Sequence, residues 1–161
     1  MSSRLHWIIL RAAIFTILAT GSVTVLIPYW LLESGSQPDW ESDGLRFAGL
    51  VPIAIGAVGY LWCVWDFAAV GRGTPFPLDA PRVFVARGPY RYVRNPMYLA
   101  VVSVVLGEAM VFESARLVVY ALLVWVISHL FVILYEEPTL RGRFGPEYEE
   151  YCRRVPRWIP R

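Results

Sequence analysis

Two glutamates, Glu136 and Glu137, stand at the end of the last long apolar run of this 161-residue chain. A helix ending there turns its negative macrodipole end toward them, so paired carboxylates at that place call for a cation. The cation is either a neighbouring arginine such as Arg141 or a loop arginine, or it belongs to a ligand carrying a positive charge or hydroxyls. A second cluster, Tyr90, Arg91, Arg94, Asn95, Pro96, Met97 and Tyr98, precedes the third apolar run. Asn95 and Pro96 suit the N-cap and first position of a helix, and the free N–H groups of a helix start can receive a carboxylate. Arg91 and Arg94 add positive charge there, or anchor the loop at a membrane surface. Tyr90, Tyr92 and Tyr98 offer rings for stacking on a base, or sit at the interface as tyrosines commonly do. A third set lies inside apolar sequence. His129 shares a face with Trp125, Val132 and Glu136 at the spacing i, i+4, i+7, i+11, and Glu108 lies in the preceding run. A His129–Glu108 pair is one reading, a proton path the other.

Other chemistries lack their patterns. No GxGxxG follows a strand, and there is no P-loop and no GxSxG. The two cysteines, Cys63 and Cys152, have no metal-ligand spacing and read as unpaired thiols, so no metal site is expected. A net charge of +2 is too small to point to nucleic acid.

The elements that must position these residues are apolar helices. Hydrophobic residues make up 57% of the chain and charged ones only 17%, the latter gathered between apolar runs. Residues 7–32 form the first run, too long for a signal-peptide core, with Pro28 bending or ending the helix. Residues 45–70 form the second, with Gly56 and Gly59 permitting close helix contact. Residues 98–112 and 115–135 form the third and fourth, separated by Glu113 and Ser114 alone. That separation demands a tight helical hairpin, with Ser114 placed to cap the fourth helix. Fifteen residues rise only about 22 Å, short for a bilayer. Trp62, Trp65 and Trp158 are assigned to membrane interfaces.

All the basic residues are arginines, concentrated in the 71–97 loop and after Tyr135, whereas the 33–44 loop is acidic. The positive-inside rule then predicts an all-α integral membrane protein of four transmembrane helices, N- and C-termini cytoplasmic, in a bacterial-type inner membrane. The chain is read as a single domain. The hairpin geometry brings Tyr98 and Glu136 together at that face.

The segments GPYRYVRNPMYLA and LYEEPTLRGRFGPEYEEYCRRVPRWIP resemble the isoprenylcysteine carboxyl methyltransferase and phospholipid methyltransferase superfamily. Their motifs are GxYxxxR[HN]PxY and EExxL…FGxxYxxY, which fall within about residues 75–160. The resemblance implies S-adenosylmethionine as methyl donor, held on the cytoplasmic side by Arg82, Val83, Phe84, Val85, Tyr90, Asn95, Pro96, Met97, Tyr98 and Glu136. It implies a lipid-like methyl acceptor taken from the bilayer, either a prenylcysteine-type carboxylate or a phospholipid amine. An amine acceptor needs its proton removed, and Glu137 is the candidate catalytic group. Asn95 stands where prenylcysteine enzymes carry His and cannot act as a base. Val132 stands where they carry an Arg that holds the substrate carboxylate, so Val132 and His129, on one helix face, are the candidate substrate-binding positions. A non-catalytic membrane scaffold or transport subunit is the rival reading.

Overall fold

The structure is a computed structural model that describes residues 10, 14, 16–35, 38–41, 44–71 and 86–160. Every regular element among these residues is helical. Three helices are long and apolar enough to cross a membrane: α1 (Thr16–Glu33), α2 (Leu45–Ala69) and, after the shorter α3 (Pro96–Val111), α4 (Ala115–Phe144). An amphipathic helix, α5 (Pro146–Arg154), completes the order. The three long helices make the chain an integral membrane protein, and their outward residues, among them Ile17, Ile55, Leu61, Leu122 and Leu134, are exposed as lipid-facing residues are. The 16 residues of α3 rise about 24 Å, so it stays the short member the apolar runs foretold.

Lipid is as apolar as leucine, so helix association here rests on close packing and interhelical hydrogen bonds. Glycines supply the closeness. A Cβ on Gly107 of α3 would fall 2.5 Å from the Gly49 carbonyl oxygen, and one on Gly56 of α2 2.5 Å from that of Ala100. The hydroxyl of Ser103 donates to the Pro52 carbonyl at 2.9 Å across the same contact. Tyr120 of α4 donates to the Val23 carbonyl of α1 at 2.9 Å. Between the helices Val105, Ala109, Leu117, Ala121 and Val132 are fully or almost fully buried.

The hairpin turn runs through Phe112, Glu113 (φ 52°) and Ser114. Ser114 does not cap α4; its side chain makes no capping bond. Asp39, from the acidic loop, takes that role: its Oδ2 accepts from the Ala115 amide at 2.7 Å, and its own amide donates to the Glu113 carbonyl at 2.9 Å. A carboxylate outcompetes a hydroxyl at a helix start because it also answers the positive end of the dipole. Pro28 does not end the first helix, which continues to Glu33. A π-helical turn, Ser22–Leu26, precedes that proline. The same device recurs in α4, where the π turn Val132–Glu136 precedes Pro138. Proline has no N–H to return to the carbonyl four residues back, and the widened turn accommodates that gap.

Candidate functional site

The cluster before α3 and the carboxylates of α4 meet. Tyr98, in the first turn of α3, donates its hydroxyl to Glu136 Oε2 at 2.9 Å. The residues just before it form a short 3-10 turn, Gly88–Arg91, that sets Tyr90 into a small apolar cluster with Cys63, Phe67 and Met97. The Phe67 and Tyr90 rings meet edge to face at 5.4 Å. Burial, then the nearby Cys63 and Glu136, push the Tyr90 phenol well above its usual range, so it stays a neutral ring wall. Gly88 (φ 56°) lies where any side chain would strike the buried Asp66 carboxylate, whose Oδ1 is 3.0 Å from Arg87 Nε.

The π turn separates the duties of the two adjacent glutamates. Glu136 turns toward Tyr98, whereas Glu137, only 3% exposed, turns toward the C-terminal segment. Arg157 grips it with both arms, Nε to Oε1 at 2.7 Å and Nη2 to Oε2 at 3.0 Å. Arg94 Nη1 lies 3.2 Å from Oε1, and Arg141 Nη1 3.6 Å from Oε2. The bond to Glu137 is the chief cause that raises the Arg157 pKa further, so this guanidinium stays charged.

Arg157 thereby fastens a strap, residues 155–160, across the start of α3. The Arg94 amide donates to the Pro156 carbonyl at 2.9 Å and Asn95 Nδ2 to the Arg157 carbonyl at 3.2 Å. The side chain of Asn95 therefore does not cap α3, contrary to the expectation from its position. The strap ends in Trp158, whose indole donates to His129 Nδ1 at 3.0 Å. Trp158, expected at a membrane interface, thus has its hydrogen-bond partner on α4. Trp125, one turn before His129, stacks on it with centroids 5.4 Å apart.

The expected His129–Glu108 pair does not form. His129 lies near the open end of the hairpin and takes Trp158, while Glu108 lies one turn from its closed end with Oε2 buried and without a hydrogen bond. Counted from the shared turn, Glu108 is 5 residues from Glu113 and His129 is 15 from Ser114, which sets them about 15 Å apart along the hairpin. Val132 is fully buried within the helix packing. Arg82, Val83, Phe84 and Val85 lie outside the described residues. Cys63 and Cys152 are both free thiols, and Cys152 accepts from Arg94 Nη1 at 2.8 Å.

Comparison with known proteins fits this arrangement. A model of the phospholipid methyltransferase family matches residues 45–147, which include α2, α3, α4 and the Tyr98–Glu136 contact. The chain is 30% identical over 122 residues to the cobalt-zinc-cadmium resistance protein CzcN of Cupriavidus metallidurans, covering 76% of this chain and 52% of that protein. It is 30% identical over 133 residues to the nickel-cobalt-cadmium resistance protein NccN of Alcaligenes xylosoxydans xylosoxydans, covering 81% and 58%. It is also 30% identical over 123 residues to a probable protein-S-isoprenylcysteine O-methyltransferase of Oryza sativa, covering 72% and 61%. The chain thus spans about half to three fifths of the length of these relatives. No solved structure matches it. Among the described residues no three His, Cys, Asp or Glu side chains gather as a metal site would require. The matched region holds the first of the two sequence segments whole and the second from its start to residue 147, with both Tyr98 and Glu136 inside it, and the chain belongs to the phospholipid methyltransferase family, in the superfamily shared with the isoprenylcysteine methyltransferases.

Proposed function

We propose that this protein transfers a methyl group from S-adenosylmethionine to a lipophilic acceptor, in the manner of an isoprenylcysteine carboxyl O-methyltransferase. The observation that carries the reading is the Tyr98–Glu136 hydrogen bond, because it assembles both family motifs into one site. The donor set suits the cofactor. The start of α3 has no side-chain cap, and Arg94 beside it keeps a buried Nε without a hydrogen bond, which together suit the methionine carboxylate. Glu136 suits the ammonium or the ribose hydroxyls, and Tyr90 and Met97 line an apolar wall for the base. Asn95 and Pro96 shape the helix start, and the family resemblance assigns Arg82, Val83, Phe84 and Val85 to the cofactor as well. When bound, the sulfonium supplies an already activated methyl group. The protein's part is then to align the acceptor and exclude water.

Glu137 has a different part from the proton acceptor first considered. With both oxygens in the Arg157 fork it locks the strap, and the reading makes it a positioning residue. Four membrane crossings, with the Arg-rich end and the cofactor on the cytoplasmic side of the inner membrane, follow from the arginine distribution. Family membership keeps phospholipid N-methylation as the second reading.

Binding of S-adenosylhomocysteine to the detergent-purified full chain tests the proposal. Ligand at a hundredfold excess over its Kd stabilises the native state by about 2.7 kcal/mol, visible as a thermal shift. Wild type is expected to show the shift and Glu136→Ala to lose it. A wild type that neither shifts nor gives calorimetric heat sinks the methyltransferase reading and favours a scaffold or transport subunit.

A further inference from the structure

Asp66 is the only acidic residue of α2, stands in its last turn and is 0% exposed. That place is unfavourable for a carboxylate. The C-terminal end of a helix carries the negative end of the macrodipole. Among the described residues neither oxygen of Asp66 has a hydrogen bond. Its ion-pair partner among them is Arg87, which brings Nε to 3.0 Å from Oδ1 and whose side chain is 56% exposed. A buried carboxylate so thinly compensated is a cost to the fold. The next segment also yields a side chain to it. A Cβ on Gly88 would fall 2.1 Å from Oδ2, and the Gly88 φ of 56° is a backbone conformation that suits glycine.

What Asp66 holds is the turn that carries Tyr90. Arg87 precedes the 3-10 turn Gly88–Arg91, and its carbonyl accepts from the Tyr90 amide at 3.1 Å. The Tyr90 carbonyl in turn accepts the Tyr151 hydroxyl at 2.7 Å. The turn is therefore slung between α2 and α5, with the Asp66–Arg87 ion pair at one end and a phenol at the other. Cys63, one helical turn before Asp66, and Phe67, directly after it, pack against the Tyr90 ring. One short stretch of α2 thus fixes both the backbone of the turn and the ring it presents.

We propose that Asp66 is a positioning residue for the cofactor: through Arg87 and the Gly88 backbone it sets the Tyr90 ring as the wall against which the base lies, and by this route α2 takes part in the site. The proposal rests on the methyltransferase reading and adds a residue to it. Asp66 does not touch the ligand itself, since Gly88 covers Oδ2 and the residue has no exposed surface. Its charge acts on Arg87. Without that charge the half-exposed guanidinium turns to water, and the Tyr90 turn loses its anchor on α2. The two partners of the pair then differ in what their loss does to stability. Removing Asp66 leaves a solvated cation, whereas removing Arg87 leaves a buried anion with no counter-charge among the described residues.

The test measures S-adenosylhomocysteine affinity by calorimetry and the melting temperature without ligand, both on the full chain in detergent. D66N keeps the side-chain shape and removes the charge. It should weaken binding about tenfold, the scale of a lost contact to a charged group, and move the melting temperature by no more than about 3 °C. R87Q should weaken binding to a similar degree but lower the melting temperature by about 6–12 °C. The double variant D66N/R87Q should regain most of that stability and none of the affinity, which separates positioning from folding. In a Y90L background D66N should weaken binding less than about threefold, because its effect passes through the Tyr90 ring. A D66N that binds as the wild type does overturns the proposal, as does a double variant whose affinity returns with its stability. An undiminished D66N effect in the Y90L background also overturns it, and so does a D66N that melts as low as R87Q, because Asp66 would then serve the fold alone. A wild type that does not bind S-adenosylhomocysteine overturns the underlying methyltransferase reading, and this proposal with it.

Discussion

Replacing Glu137 by Gln keeps the side-chain shape and removes one charge from a place where three arginines converge. Glu137 is 4% exposed in its side chain, Arg94 12% and Arg157 31%. Removing the anion leaves two largely buried guanidiniums facing each other without a counter-charge. Breaking a buried pair from one side costs about 3–5 kcal/mol. The lower end applies here, about 3 kcal/mol, because water reaches Arg157 and screens it. Arg141→Ala is the internal control. That guanidinium is 45% exposed, stands 3.6 Å from Glu137 and also bonds Glu149 at 2.7 Å, so its loss costs about 0–1 kcal/mol. For a chain of this size each kcal/mol moves the melting temperature by about 2–4 °C. The expected drops are about 6–12 °C for E137Q and about 0–4 °C for R141A, read by intrinsic tryptophan fluorescence without ligand. Combining E137Q with R157M should cost less than the two losses added, because the second change removes a charge the first left stranded. If E137Q melts with the wild type and loses only methyl transfer, Glu137 is a catalytic base after all and the strap is held by something else.

Three further outcomes follow from the packing. G107A should destabilise by about 1–3 kcal/mol in thermal unfolding, since the added carbon meets backbone of Gly49 and Ile53, whereas G142A, with nothing within 4 Å, should be neutral or slightly stabilising. D39A should cost about 1 kcal/mol by removing the acceptor for the Ala115 amide, while S114A, whose buried hydroxyl makes no hydrogen bond, should be neutral or better. The reverse order would mean that Ser114 is the cap. Y98F should weaken S-adenosylhomocysteine binding about 5- to 30-fold in calorimetry by freeing Glu136 from its partner, and an unchanged affinity would separate Glu136 from the cofactor.

Much of the site is legible in the chain because it depends on short-range geometry. Only Glu113 and Ser114 separate two apolar runs, which makes a hairpin unavoidable and brings its open ends, Tyr98 and Glu136, side by side. The neighbouring choices were not legible in the same way. Ser114 and Asn95 have the right residue types for caps, but each lost to a competitor arriving from elsewhere: Asp39 took the helix start, and the Arg157 carbonyl took the Asn95 amide. The proline at 138 was the available signal that the helical phase changes before it, and a strict 3.6-residue face carried through Glu136 overlooks that change. Trp158 read as an interface anchor because a tryptophan in a basic tail has no periodicity to say which helix it will meet.

By itself, then, the sequence determined that this protein is a bundle of apolar helices with a tight terminal hairpin and two polar segments meeting at the hairpin's open end. Spacing, apolar run length and the arginine distribution are local quantities, and they suffice for that. Only the tertiary structure decided that Glu136 and Glu137, one residue apart, face different partners, and that Arg157 and Trp158 return to Glu137 and His129. Those pairings join residues 20 and 29 positions apart through a reversal of the chain at Gly145 (φ 50°). Which charge meets which is settled there by how the strap packs over α3, a property no stretch of the sequence carries alone.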